Sequence, residues 1–154
     1  MAPAQPRIPG KHGLPRTMGS DFAGVVTNVG SGVDDVRPGE RVWGFVDPFA
    51  CARGTFADFC AVPVKSVFPL PAETDFRDAA ALACVGATAV ILCDLAQVSS
   101  GSRVLVNGAS GGVGHIAVQL AKARGALVTA TASGPRREFV ASLDTSGLAV
   151  AGDW

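Results

Sequence analysis

The stretch Arg103 to Arg124, RVLVNGASGGVGHIAVQLAKAR, constrains the fold most strongly. It opens with a short apolar run, Val104-Leu105-Val106, suited to a buried strand. The glycine-rich segment Gly108-Ala-Ser-Gly-Gly-Val-Gly114 follows, and then apolar residues recur at Val113, Ile116, Ala117, Leu120 and Ala121. That spacing marks one continuous face of a helix. Strand, glycine turn and helix in this order match the phosphate-binding corner of dinucleotide folds.

Helix geometry explains the glycines. The first N–H groups of a helix have no intrahelical partner and carry the positive end of the helix dipole. A pyrophosphate reaches them only where no side chain intervenes, which accounts for Gly111 and Gly112. Gly114 is expected to let the helix pack closely on the strand. Ala109 departs from a strict GxGxxG pattern at its first position. A tight strand-to-helix turn with no ligand is the alternative reading of the same residues.

A chain of 154 residues suggests one domain or two small or incomplete ones. With 48% apolar and 17% charged residues it has material for a sizeable core. Zero formal net charge argues against a general polyanion-binding surface, and no nucleic-acid partner is expected. Cysteines at 51, 60, 84 and 93 show no CxxC spacing, which fits a reducing compartment. The N-terminal MAPAQPRIPGKHG lacks the apolar core of a signal peptide. The apolar run Ala79 to Leu95 is interrupted by Cys84, Gly86, Thr88, Cys93 and Asp94 and is short for a membrane span. It reads as a buried helix of a soluble, cytoplasmic protein.

Residues 1 to 17 read as irregular, and β-like text begins near Met18. Strands are expected at Phe22–Val29, Arg41–Val46 and Gly54–Val62, with turns at Gly30-Ser-Gly32 and Pro38-Gly39 and a short extended piece at Ser66–Pro71. Thr74 is a candidate cap for a helix carrying Asp75 and Asp78 in its first turn, broken near Gly86 and resuming to about Leu95. Gly125 stands where a helix C-cap glycine is expected. Ala126–Thr131 then reads as a second strand completing a β-α-β unit, and Pro135 as the opening of a helix from Arg136 to about Leu143. No pattern is evident from Asp144 to Trp154. The composition divides the chain into a β-rich part, 1–72, and an α/β part, 73–154.

Taken together, Gly19-Ser-Asp-Phe-Ala-Gly-Val-Val26, Val29-Gly30, Pro38-Gly-Glu-Arg-Val-Trp-Gly44, Ala79–Leu82, Gly86-Ala-Thr-Ala89 and Gly108–Gly114 resemble the medium-chain dehydrogenase/reductase family, in family order. Within it the chain is similar to the zinc-independent quinone oxidoreductase and enoyl reductase branch. The resemblance implies an α/β chain, with a partial chaperonin-10-like β-barrel followed by a partial Rossmann β-α-β unit. It implies NADPH as cofactor and hydride transfer to a quinone or an activated C=C bond of an enone or enoyl thioester. Ala109, Ser110, Gly111, Gly112, Val113 and Gly114 match the family's pyrophosphate turn. Thr88 matches a position facing the nicotinamide end, its alternative being a helix-interior threonine bonded to its own backbone. Zinc-dependent relatives have Gly-His-Glu where this chain has Gly19-Ser20-Asp21, and a cysteine where it has Val85. Ser20 and Val85 lack the donor atoms that zinc prefers, so no metal is expected. His115 is expected to face solvent.

The end of the second Rossmann strand carries cofactor choice. An NAD enzyme presents a carboxylate there to the ribose hydroxyls. Here Thr131-Ala-Ser133 offers none, and Gly134-Pro-Arg136-Arg137 follows. Ser133 with Arg136 or Arg137 suits a 2′-phosphate through charge-assisted hydrogen bonds. A basic, solvated helix start is the alternative.

The chain is about half the length expected of a two-domain relative, and the resemblance places the shortfall at both ends, the Rossmann part ending after two strands. Strands Val104–Asn107 and Leu127–Thr131 would then have open edges and uncovered apolar surface, favouring a second copy or a partner chain. Three readings stay open: an NADPH-dependent reductase, a non-catalytic nucleotide- or partner-binding module, and a fragment without function. No catalytic residue is assigned. Asp21 is the nearest candidate acid, with a strand-end carboxylate as its plainer reading.

Overall fold

The computed structural model describes residues 17–47, 53–143 and 145–150. His12, Cys51 and nearly all of the expected irregular segment 1–17 lie outside them. The chain divides into two compact units, Met1–Cys84 and Val85–Trp154.

In the first unit, β1 (Asp21–Val25), β2 (Arg41–Phe45) and β3 (Val67–Pro69) form an antiparallel sheet in that order. Phe22 pairs with Gly44, and Gly44 with Val67. This register explains the glycine: a Cβ at Gly44 would lie 1.9 Å from the Ser66 carbonyl oxygen and 2.9 Å from the Phe22 ring. Val42, Val46, Leu70, Ala79 and Ala83 are buried here.

Two expectations for this unit fail. β1 ends at Val25 rather than Val29, although Val26 still exchanges backbone bonds with the approaching chain, donating to Glu40 and accepting from Gly39, both at 2.9 Å. Gly54–Val62 is a series of bends rather than a strand. Its alternation of apolar and polar residues leaves Phe56 and Phe59 more than three-quarters exposed. The backbone of Gly54–Phe56 bonds instead to Thr17, Met18 and Gly19.

Helix α1 (Phe76–Leu95) is continuous through Gly86, contrary to the expected break. Its cap is Asp75 rather than Thr74: Asp75 Oδ1 accepts the Arg77 N–H at 2.8 Å, satisfying a first-turn donor. The helix is also less buried than its composition suggests. Ala79, Ala83, Ala89 and Cys93 are buried, while Val90, Ile91, Leu92 and Leu95 are exposed. At 20 residues, it is long and apolar enough to cross a membrane by length and composition. α1 ends in a paired-bond motif in which Gln97 N–H donates to Asp94 and Val98 N–H to Cys93. Gln97 holds the left-handed position, φ 51°, that this motif usually gives to glycine.

The second unit is a parallel sheet in the order β4 (Arg103–Val106), β5 (Leu127–Ala132), β6 (Gly147–Val150), with β4 and β5 joined through α2 (Gly112–Ala123) and β5 and β6 through α3 (Arg137–Ala141). A third strand is therefore present where the sequence showed no pattern. Gly125 closes α2 as expected, with its N–H on Lys122 and that of Ala126 on Ala121. Val118, Val128 and Val140 are fully buried, each contributing roughly 1.5–3 kcal/mol of hydrophobic stabilisation. Burial alternates along β5. Val128, Ala130 and Ala132 face the core, and Leu127 and Thr129 stay exposed, as does Leu105 on β4.

Replacing Gln97 by glycine should stabilise the protein by roughly 0.5–1 kcal/mol, because the backbone conformation is retained without a Cβ penalty. Gly44→Ala should destabilise it by about 3 kcal/mol through overpacking against backbone. Denaturant titration of both variants checks the pair.

Candidate functional site

The glycine segment leaves β4 at Asn107 and turns at Gly108, whose φ of 71° suits a residue without Cβ. Ala109 is fully buried, and its N–H donates to the Thr131 carbonyl at 2.9 Å. This resolves the departure from GxGxxG: the positive φ sits one residue earlier, and the Ala109 methyl joins the core of the unit. Gly111 caps α2 in extended conformation and, having no side chain, makes no side-chain cap bond to the first turn. His115 N–H donates to the Gly111 carbonyl, so the N–H groups of Gly112, Val113 and Gly114 lack intrahelical acceptors. An anion is the natural partner for such a group of donors.

Glycine is required for different reasons at neighbouring positions. A Cβ at Gly114 would lie 2.3 Å from the Gly108 carbonyl oxygen and 2.9 Å from the Ala109 Cα. The close approach is thus to the turn backbone, a correction to the expected contact with the strand. At Gly111 and Gly112 a Cβ would meet nothing nearer than 3.3 Å. Both are tight contacts but milder than at Gly114, and at Gly112 the neighbour is the end of the Val85 side chain.

Arg136 and Val85 meet this turn directly. Arg136 Nη1 donates to the Ser110 carbonyl at 3.2 Å, bringing the residues after β5 to the glycine segment. Ser133, Arg136 and Arg137 are all exposed, Ser133 just beyond β5 and Arg137 at the start of α3. Val113 is half-buried. Val85 of α1 lies beside Gly112, 3.3 Å from where its Cβ would stand. Thr88, three residues further and so on the same helix face, is half-buried and has an interaction of its own.

Sequence reasoning missed two residues. Thr131 Oγ1 accepts the Gly108 N–H at 3.0 Å and donates to Asn107 Oδ1 at 2.5 Å. Neither residue type signals this role, since the contact spans 24 positions. His115 also differs from expectation. It is half-buried, packs against Phe139 at 5.9 Å between ring centroids, and Nδ1 lies 2.8 Å from the Gly111 carbonyl. A carbonyl only accepts, so Nδ1 carries the proton.

Within the first unit both carboxylate oxygens of Asp21 are engaged. Oδ1 accepts the Cys84 N–H and Oδ2 the Ser20 hydroxyl, each at 2.7 Å. A carboxylate so placed ties β1 to α1. No cluster of three or more His, Cys, Asp or Glu side chains able to hold a metal ion occurs among the described residues. An apolar cavity of about 750 Å³ opens in this unit beside Phe22, Val25, Val42, Phe59, Cys60 and Val67. Partial desolvation pushes the Cys60 thiol pKa up, which suppresses its thiolate.

Residues 4–72 match the alcohol dehydrogenase GroES-like domain. The chain is 42% identical to a quinone oxidoreductase of Rattus norvegicus over 79% of its own length and 36% of that protein's. It is 37% identical to a trans-enoyl reductase of Aspergillus terreus, over 85% and 38% of the two chains. The structure of Escherichia coli quinone oxidoreductase complexed with NADPH superposes with a TM-score of 0.78 at 30% identity, covering 88% of this chain and 41% of that one. The chain belongs to the medium-chain dehydrogenase/reductase family. Its antiparallel sheet is part of the GroES-like domain and its parallel sheet part of a Rossmann unit. It spans a little over a third of the length of these curated relatives.

The two kinds of glycine should separate in stability measurements. Gly114→Ala should cost about 2–3 kcal/mol, since backbone must move. Gly112→Ala should stay within about 0.5 kcal/mol of the parent, alanine being the better helix former. Thermal and urea unfolding of the two variants provides the check.

Proposed function

We propose that this chain binds NADPH at the start of α2 and supplies that half of the site to a zinc-independent reductase of quinones or activated C=C bonds. The observation that carries the reading is the α2 N-terminus, where the exposed Gly111 and Gly112 leave the first N–H groups uncovered by any side chain of their own and meet milder contacts than Gly114. A pyrophosphate explains them, because a side chain at either position would crowd its approach to the N–H groups of Gly112–Gly114. The residues therefore fit the cofactor. The NADPH carried by the Escherichia coli relative supports the same choice.

Ser133, Arg136 and Arg137 would hold the 2′-phosphate. No carboxylate stands at Ser133 to favour the ribose hydroxyls of NADH. Arg136 is anchored to the turn through the Ser110 carbonyl, so its charge is held close to the bound phosphates at little additional entropic cost. When bound, the nicotinamide supplies the hydride, and the chain binds and orients it. Thr88 is proposed to face that end of the cofactor. Zinc-free chemistry is supported by Ser20, whose hydroxyl is given to Asp21, and by Val85, which has no ligand atom. Small-molecule substrate and cytoplasmic location belong to the same proposal.

Binding without turnover is the second reading. It uses the same phosphate corner at the start of α2 without assigning a catalytic residue, Asp21 being held by the Cys84 N–H and the Ser20 hydroxyl.

Titration of the full chain with NADPH, and with NADH as control, tests the cofactor assignment. NADPH should bind at least about tenfold more tightly, as expected for charge-assisted bonds to the 2′-phosphate. Arg136→Ala together with Arg137→Ala should remove that preference, and Gly112→Ala should weaken both cofactors. Saturable binding that does not distinguish the two would refute the 2′-phosphate site, and no binding would refute the cofactor reading. A reductase assay with quinones and enones then separates turnover from binding alone.

A further inference from the structure

Asn107, Gly108 and Ala109 open the glycine segment, and all three bond to one residue, Thr131, near the end of β5. The Ala109 N–H takes the Thr131 carbonyl, and the Gly108 N–H takes its hydroxyl oxygen. The hydroxyl proton goes to Asn107: at 2.5 Å the contact suits O–H···O and is too short for an amide nitrogen, so the Asn107 carbonyl oxygen is the acceptor. The Asn107 amide N–H groups have no partner among the described residues.

Asn107 and Gly108 are exposed, so these bonds form in competition with water and add little to global stability. Their effect is on position. Gly108 populates left- and right-handed conformations with similar ease. Its carbonyl accepts the Gly111 N–H at 3.0 Å and lies against Gly114. Whatever fixes Gly108 therefore fixes the start of α2 relative to the sheet.

We propose that Thr131 is a positioning residue for the phosphate site: its hydroxyl holds Gly108 in the left-handed conformation and so aims the N–H groups of Gly112–Gly114. In the same relay, Asn107 has its carbonyl occupied and presents its amide N–H as an additional donor to a phosphate oxygen. The inference rests on the NADPH reading and names residues that the reading does not use.

The test uses the full chain as Thr131→Val, Thr131→Ser and Asn107→Ala, with two readouts: the Kd for NADPH, and the amide hydrogen exchange of Gly108 and Ala109 without ligand. Valine keeps the shape and the strand preference but loses the hydroxyl. Serine keeps the hydroxyl and loses the methyl. Thr131→Val should weaken NADPH binding about tenfold and speed Gly108 exchange by a similar factor, one hydrogen bond being lost. Thr131→Ser should restore both to within about threefold, and Asn107→Ala should weaken binding about fivefold. A purely packing role gives the opposite order, with valine tolerated and serine harmful, and that result overturns the proposal. So does unchanged binding and exchange in Thr131→Val. If the parent chain binds no NADPH, the cofactor reading falls separately. Gly108 exchange then decides the relay: faster in Thr131→Val and restored in Thr131→Ser supports it, and no change overturns it.

Discussion

The second unit depends on the approach of α2 to the backbone of Gly108 and Ala109. With Gly114 at the contact, helix and turn come within a distance that no Cβ tolerates. That closeness brings Val118 and Ala121 of α2 into the same buried cluster as Ala109, Val128 and Ala130. It also determines where the first N–H groups of α2 lie relative to the end of β4. Packing and anion binding are thus served by one arrangement, because a helix that starts directly off a strand has its uncompensated donors at the strand's end.

The opposite face of this sheet has a different character. Parallel sheets are ordinarily covered on both faces. Here Leu105 is 66% exposed and Leu127 56% exposed, while Val128 and Ala130 between and beside them are fully buried. Helix α1 likewise leaves Val90, Ile91, Leu92 and Leu95 open. Apolar surface of this kind gains free energy from burial at roughly 25 cal/mol per Å², so it favours further protein contact. The curated relatives, of which this chain spans a little over a third, contain more chain with which to cover it.

Asp21 and Arg41 connect elements of the first unit. Asp21 joins β1 to α1 through the Cys84 N–H. Arg41 of β2 donates to the Thr74 carbonyl and stacks over Phe76 at 4.1 Å, anchoring the entry to α1. These contacts explain why charged residues within the Gly19–Val26 and Pro38–Gly44 segments are part of the fold.

What could be read from the sequence was local. The strand β4, the helix α2 and the C-cap at Gly125 depend on residues a few positions apart and form where expected. But β4 has no buried residue, and α2 buries Val118 and Ala121 while Val113, Ile116, Ala117 and Leu120 of the expected face are half-buried. The glycine segment was legible for the same reason, down to the departure at Ala109. What required tertiary structure was decided by partners far along the chain. Gly54–Val62 alternates like a strand, but its first residues bond to Thr17–Gly19 rather than to an edge of the sheet. β6 has no strand signature of its own and forms because β5 offers a parallel edge. Gln97 adopts a glycine conformation because the end of α1 is tied by two backbone bonds. Thr131 reaches Gly108 and Asn107 only because β4 and β5 are adjacent. Backbone preference and periodicity act over one or two turns of chain and are written in neighbouring residues. Hydrogen-bond partners across the sheet are chosen by the packing that brings strands together.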